Sequence, residues 1–398
     1  MTPLAGIVVV DLSRHLPGPL VGRLLRDLGA RVIKVEEPRA GDPVRQAPPF
    51  VAGESALAGI LLAGVESLAL DLKRQEARGV LHDWLARADV LLESFRPGTL
   101  ARLALAPDAL RQRYPGLVIC SVSGWGQDGP WAGRAGHDLT YQAVAGVVGT
   151  TGAMPAAPMA DIVGAWSATT SILAALLERA RTGEGAWLDA SLTDAAVHSN
   201  LAAWASTASP GARRGLGLSG SMPCYRLYET SDRELLAVAC LEPHFWEAFC
   251  AAAGREDLRK LQYDPSETAH RRVARVFRER SLAEWTERLA PHDLPVEPVA
   301  VPAVAARHPQ VEARGVLARD AAGRPRLRFP VRFGASRPGG EAAVPALGGD
   351  TERLLAEVCS PLAEVGRGRR RRSGVGRRGR FRAWLRRKIV ERKTREPD

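Results

Sequence analysis

GIVVVDLSRHLPGPLVGRLLRDLGARVIKVE, residues 6–36, carries the pattern that decides the fold. Gly6–Leu12 is a short β-branched run and reads as a strand. Pro19–Gly29 then spaces its apolar residues at helical intervals and ends at a glycine. Arg31–Glu36 (RVIKVE) is the next strand. The same alternation continues outward. Ser67–Leu72 is a strand, Lys73–Ala88 a helix, Asp89–Phe95 a strand, Pro107–Tyr114 a helix and Gly116–Ser123 a strand. Strands separated by helices of this length imply βαβ crossovers and a largely parallel, buried sheet. Such sheets bind ligands beyond the carboxyl ends of their strands.

Further along, Asp161–Arg181 reads as a long helix with Ile172, Ala175 and Leu176 on one stripe, stopped by Thr182-Gly183-Glu184-Gly185. Ala186–Leu192 resumes a strand, and the Gly, Ser and Arg of Pro210–Pro223 mark a linker. Tyr225 to about residue 300 forms a smaller α+β segment, Val299–Arg307 a return connection, Pro325–Phe333 a strand and Thr351–Val358 a last helix. The fold expected is α/β: a Rossmann-like large domain with a mostly parallel sheet, plus a smaller α+β domain. Its divisions are a large domain over 1–200, a linker over 201–224 and a small domain over 225–305. A return linker with the rest of the large domain follows over 306–365, and a basic, disordered tail over 366–398.

The length of 398 residues makes two or three domains the prior, and 45% hydrophobic with 25% charged residues is ordinary globular composition. The formal net charge of +11 looks like a nucleic-acid footprint until it is located. Arg367–Asp398 holds 15 Lys and Arg against three acidic residues, so the body of the chain is near neutral. We read the tail as a solvated appendage in preference to a nucleic-acid or membrane anchor. Phe381–Val390 within it has the pattern of a short basic amphipathic helix. Five widely spaced cysteines without a C-x-x-C pair point to a reduced, cytoplasmic protein. No signal peptide and no stretch of the ~20 apolar residues that a membrane span needs are expected.

Several chemistries drop out. Gly215–Gly220 fits G-x-G-x-x-G but follows a Pro/Arg linker instead of a strand, so the dinucleotide reading lacks its context. No G-x-S-x-G, no Walker loop and no His/Cys spacing for zinc is present. Two titratable residues stand out. His137 follows the Gly/Trp-rich end of the fifth strand, and Asp161 starts the long helix, where an Asp is ordinarily an N-cap. Free N–H groups at a helix start also stabilise an anion.

With these segments in view, the chain resembles the family III CoA-transferase superfamily over residues 3–360. The likeness rests on Pro3–Pro43, Leu91–Gly98 (LLESFRPG), Val122–Pro130 (VSGWGQDGP), Gly136–Tyr141 (GHDLTY) and Ile172–Asp189. Gly136-His137-Asp138, and Ser219–Tyr225 (SGSMPCY) leading to Leu241–Trp246 (LEPHFW), resemble the α-methylacyl-CoA racemase branch. The resemblance implies an acyl-CoA substrate, no bound cofactor or metal, and an interlocked homodimer.

It also implies roles for residues. Asp161 and His137 would face opposite sides of the substrate α-carbon and racemise a 2-methylacyl-CoA through an enolate, with Glu242 tuning His137. Backbone N–H groups at the Asp161 helix start would serve the enolate oxygen. The alternative is CoA transfer between carboxylic acids, with Asp161 as nucleophile forming an anhydride and then a thioester. A further alternative is an inactive CoA-fold protein whose tail binds polyanions. CoA would lie against Leu70, Asp71, Leu72 and Lys73, against Ser94, Phe95 and Arg96, against Arg102, and against Gly136, His137, Asp138, Leu139, Thr140 and Tyr141. The chain departs from the family at Glu37, where relatives often carry a base, and at Leu61–Glu66 (LLAGVE), where they show Asn/Arg-Gly-Lys. Lys34 and Arg39 are the nearby cations offered as substitutes.

Overall fold

The computed structural model describes residues 2–208 and 218–359. The basic tail and residues 209–217, including the first half of the glycine motif at 215–220, lie outside the described residues.

Six strands form the main sheet: β1 (Val8–Asp11), β2 (Arg31–Glu36), β3 (Glu66–Ala69), β4 (Val90–Glu93), β5 (Val118–Ser123) and β6 (Trp187–Ser191). Every pairing is parallel, in the order β3-β2-β1-β4-β5-β6. This is the doubly wound order, and it reverses direction between β1 and β4, where such folds open a crevice. Successive side chains alternate between two cores, as the pleat requires. Val9, Val32, Leu92 and Cys120 enter one core with α1 (Pro17–Asp27) and the long helix Met159–Thr182. Val10, Ile33, Leu91 and Ile119 enter the other with Trp84 of the helix Gln75–Leu85 and Leu354 of Thr351–Cys359. Both faces of the central strands are covered, which explains why those strands read as mostly apolar.

Residues 225–298 build a second core on a three-stranded antiparallel sheet, Tyr225–Glu229, Leu235–Ala239 and Val296–Pro298. Its centre is aromatic: Phe277 stacks on Tyr228 at 4.4 Å and on Phe249 at 5.3 Å. The buried indoles of Trp246 and Trp285 each donate to a backbone carbonyl, so their polar edges are satisfied.

One expectation needs correction. Pro325–Phe333 is not a continuous strand, since only Pro325–Leu327 is extended, paired with Leu317–Arg319 in a separate two-stranded ribbon. Pro330 has no N–H to continue a ladder, and Phe329 turns inward to meet Trp166 at 5.8 Å. The helix Met159–Thr182 has the length and composition of a membrane span, but 44% of its apolar window is buried, as in a core helix. It packs Ala160, Ala165, Ala168 and Ile172 into the main core.

Candidate active site

The long crossover from β5 to β6 supplies the two candidate bases. Its first turn after the sheet, Gly124-Trp125, packs on Tyr141. A Cβ on Gly124 would fall 2.3 Å from the Tyr141 hydroxyl, and one on Gly136 would fall 2.5 Å from the Tyr141 ring. Only glycine allows both segments to close on the ring, and Trp125 meets it edge-on at 4.9 Å. Tyr141 is thereby fixed at the base of the short helix Asp138–Val144, whose N-cap is His137. The Thr140 hydroxyl secures this start, accepting from the His137 N–H at 3.0 Å. The His137 side chain is exposed.

Asp138 joins this helix to the start of the long one. Its carboxylate accepts the Asp161 N–H at 3.0 Å and the Gln142 amide at 2.6 Å, and Gln142 also donates to the Ala157 carbonyl at 3.2 Å. The residue beside His137 in the chain therefore touches the backbone of Asp161. Asp161 stands in the first turn, three residues after its N-cap Pro158, so it is not itself the cap. The proposed enolate donors are largely spent: the Met159 N–H bonds Ala157, that of Asp161 bonds Asp138, and that of Ile162 bonds Pro158.

Burial pushes the Asp161 carboxyl up to about 7, and the negative charge of Asp138 adds to the effect. Among the described residues no hydrogen bond or ion pair reaches that carboxylate. Tyr141 is pushed up to about 12 by burial and by Asp161, while the positive charge of Arg96 opposes it. Arg96, after β4, thus shares the electrostatic neighbourhood of Asp161. An unpaired, half-buried carboxyl that titrates near neutrality is suited to moving protons at physiological pH.

The expected CoA contacts gather on the carboxyl edge of the sheet. Leu70, Asp71, Leu72 and Lys73 follow β3, with Leu70 buried and Lys73 exposed. Ser94, Phe95 and Arg96 follow β4 at the point where strand order reverses. Arg102 lies exposed just beyond, its guanidinium donating to Thr99 Oγ1 at 2.8 Å. Leu139 is exposed on the helix after His137. Glu242 is not brought to this place. It is exposed at the start of the helix Pro243–Ala253 in the second core, and its carbonyl accepts from the N–H groups of Phe245 and Trp246.

Lys34 cannot replace the missing base at Glu37. It is 1% exposed and lies between Asp11 at 3.2 Å and Asp42 at 3.1 Å. Arg39 is 88% exposed and faces Glu37 itself. The residue that sequence reasoning missed is Arg14, directly after β1. Its N–H donates to Ser94 Oγ at 2.8 Å, and its guanidinium lies 5.6 Å from the centre of the Phe95 ring. Nothing in the sequence links positions 14 and 94, and only the adjacency of β1 and β4 does so. Gln142 was missed as well, although its spacing of four from Asp138 on a helix was a usable signal.

Comparison with known proteins adds relatives to this geometry. A family model described as CoA-transferase family III matches residues 4–351. Alpha-methylacyl-CoA racemase from Homo sapiens is 34% identical over 325 residues, covering 78% of this chain and 81% of the relative. Acetyl-CoA:oxalate CoA-transferase from Acetobacter aceti is 32% identical over 333 residues, covering 79% and 85%. A crystal structure of a CAIB/BAIF family protein from Brucella suis matches with a TM-score of 0.79 at 30% identity, covering 90% of this chain and 99% of that one.

Proposed function

From membership of CoA-transferase family III, to which this chain belongs, we infer that it racemises 2-methylacyl-CoA thioesters by two-base proton exchange. The observation that carries this reading is the Asp161 carboxyl, half-buried, unpaired, pushed up to about 7 and tied through Asp138 to the position of His137. One base takes the α-proton of the thioester, leaving its electron pair in an enolate. The other, protonated, returns a proton to the opposite face. Both groups must exchange protons at working pH, and a carboxyl near 7 does so. The CoA moiety would run over the crevice between β1 and β4, with Arg14, Lys73, Arg96 and Arg102 as the cations available to its phosphates.

The competing reading is CoA transfer, in which Asp161 attacks the thioester carbonyl and expels the CoA thiolate. The thiolate then attacks the Asp161 carbonyl of the anhydride and releases the donor acid. The resulting aspartyl-CoA thioester gives its CoA to an acceptor carboxylate through a second anhydride. This reading is supported by the likeness to the Acetobacter enzyme, but it leaves His137 without a task. Acyl-CoAs incubated in deuterium oxide distinguish the two. Racemisation incorporates deuterium at the α-carbon without a second acid. Acceptor-dependent turnover with a hydroxylamine-sensitive adduct on Asp161 would replace this reading with transfer.

The active form on this reading is a cytoplasmic homodimer. Val144, Leu201 and Trp204 are exposed by 51%, 63% and 47%, and Asn200 ties their elements together by donating to the Ala145 carbonyl. A second chain would cover this apolar rim. It would also offer a route for a Glu242 to approach a His137. Light scattering that finds a monomer removes that part of the proposal.

A further inference from the structure

A cavity of about 440 Å³ lies between α1 and the ribbon of Leu317–Arg319 and Pro325–Leu327, and none of its lining residues belongs to the crevice or to the Asp161 cluster. Six arginines line it: Arg23 and Arg26 from α1, and Arg319, Arg324, Arg326 and Arg328 from the ribbon and its flanks. Against them stand three carboxylates, Asp27, Asp320 and Glu341. Asp27 is shared by Arg23 and Arg26 at 2.7 Å each, and Asp320 by Arg324 and Arg326 at 2.7 and 2.6 Å. Arg324 also meets Glu54, and Arg23 and Arg326 donate to the backbone carbonyls of Ile60, Leu327 and Gly59. Four guanidinium groups are therefore held in place as a fixed cationic wall. The other two are exposed: Arg319 donates to the Gly323 carbonyl at 2.8 Å, and Arg328 stands 3.7 Å from Glu341. Even with Glu54 counted, positive groups exceed carboxylates by two. The wall repels itself, and burial together with Arg23 and Arg326 pushes the Arg26 guanidinium down against the pull of Asp27.

A concave site of this size with excess, preorganised guanidinium groups has the chemistry of an oxyanion receptor, because planar forks match phosphate and carboxylate oxygens two at a time. We propose that this cavity binds a compact, multiply charged oxyanion at a second site, separate from the acyl-CoA crevice. Its ligand carries two or more phosphate or carboxylate groups.

Titration calorimetry on the full chain, with CoA added to occupy the crevice, tests this with inorganic pyrophosphate in one arm and citrate in the other. Saturable binding of at least one is expected, and the arm that binds assigns phosphate or carboxylate. Arg319→Gln with Arg328→Gln should weaken that binding by at least about tenfold while acyl-CoA turnover stays as in the wild type. Ala318→Glu, which adds a carboxylate to the wall, should weaken it as well. Anion binding by the basic tail is common to all three proteins and cancels. Isotherms that coincide for wild type and both variants, or wild type without saturable binding of either anion, overturn the proposal.

Discussion

Asp11 with Asp42, and Asp161 with Asp138, are both pairs of carboxylates at the carboxyl edge of one sheet. The first pair encloses the Lys34 ammonium at 3.2 and 3.1 Å, and all three side chains are 1% exposed. Its remaining oxygens are also in use: Asp11 accepts from the Ser13 N–H and hydroxyl, and Asp42 from the Val44 and His15 N–H groups. The second pair has no cation inside it. Asp138 is held by two donors, and Asp161 by none. A buried charge that is fully paired holds structure, whereas one left unpaired gives up its charge and becomes a proton carrier. The comparison separates scaffold from candidate chemistry without any appeal to relatives.

Substitutions should fall on opposite sides of that line. The largest effect is expected at Asp161→Asn, which should cut α-proton exchange and inversion by ~10² to 10⁴-fold, the usual worth of a positioned acid or base. Its unfolding midpoint in denaturant at neutral pH should not drop, because an amide has no charge to bury. Lys34→Met should behave in reverse. It leaves two buried carboxylates facing each other and should cost about 3–5 kcal/mol of stability by denaturant titration. A Lys34→Met protein as stable as the wild type would show that the two pairs are not different in kind.

The pH dependence sharpens the same contrast. The Asp161 carboxyl has an ordinary value of 3.8 and is pushed up to about 7 in the fold. The folded state thus holds this proton more tightly than the unfolded chain does. The stabilisation is complete below about 3.8 and is lost as pH rises through about 7, amounting to a few kcal/mol at most. Wild type should therefore lose stability relative to Asp161→Asn between pH 4 and 7, a difference read from paired denaturant titrations. Asp138→Asn keeps an oxygen for the Asp161 N–H but removes the repulsion, so the limb of the pH–rate profile that reports Asp161 should move to lower pH. A limb that stays in place would mean that burial alone sets it.

The main sheet was legible because its central strands are rich in buried apolar residues and bounded by a helix or a glycine turn. Arg31–Glu36 came out residue for residue, and the long helix only gained two residues at its start and one at its end. Pro325–Phe333 misled because alternating apolar residues look alike whether a strand joins a sheet or a short ribbon, and pairing partners are not written locally. Lys34 misled for a related reason. A lysine within RVIKVE looks available to a ligand, and only the neighbouring β1 and the loop at Asp42 reveal that it is enclosed. His137 and Asp161 were singled out by motif, yet the residue that connects them, Asp138, was read only as a ligand contact. Spatial convergence across the crossover between β5 and β6 carries that information, and it appears only when the chain is folded.

Arg14 gives the smallest expected effect and the finest test of where the crevice lies. It is exposed, it follows β1, and it leans on Phe95 and Ser94 after β4, bridging the point of strand reversal. An exposed cation over a ring contributes about 0.5–1 kcal/mol, so Arg14→Ala should barely change the unfolding midpoint. The N–H that bonds Ser94 belongs to the backbone and survives the substitution. What disappears is a charge at the mouth of the crevice, where phosphates of CoA would pass. The KM for an acyl-CoA should rise several-fold with kcat unchanged, the signature of lost uniform binding. Arg14→Lys should recover most of it, since a phosphate responds to the charge while the ring contact prefers the planar guanidinium. A KM unmoved in Arg14→Ala would place the CoA phosphates away from β1 and leave Lys73, Arg96 and Arg102 to hold them.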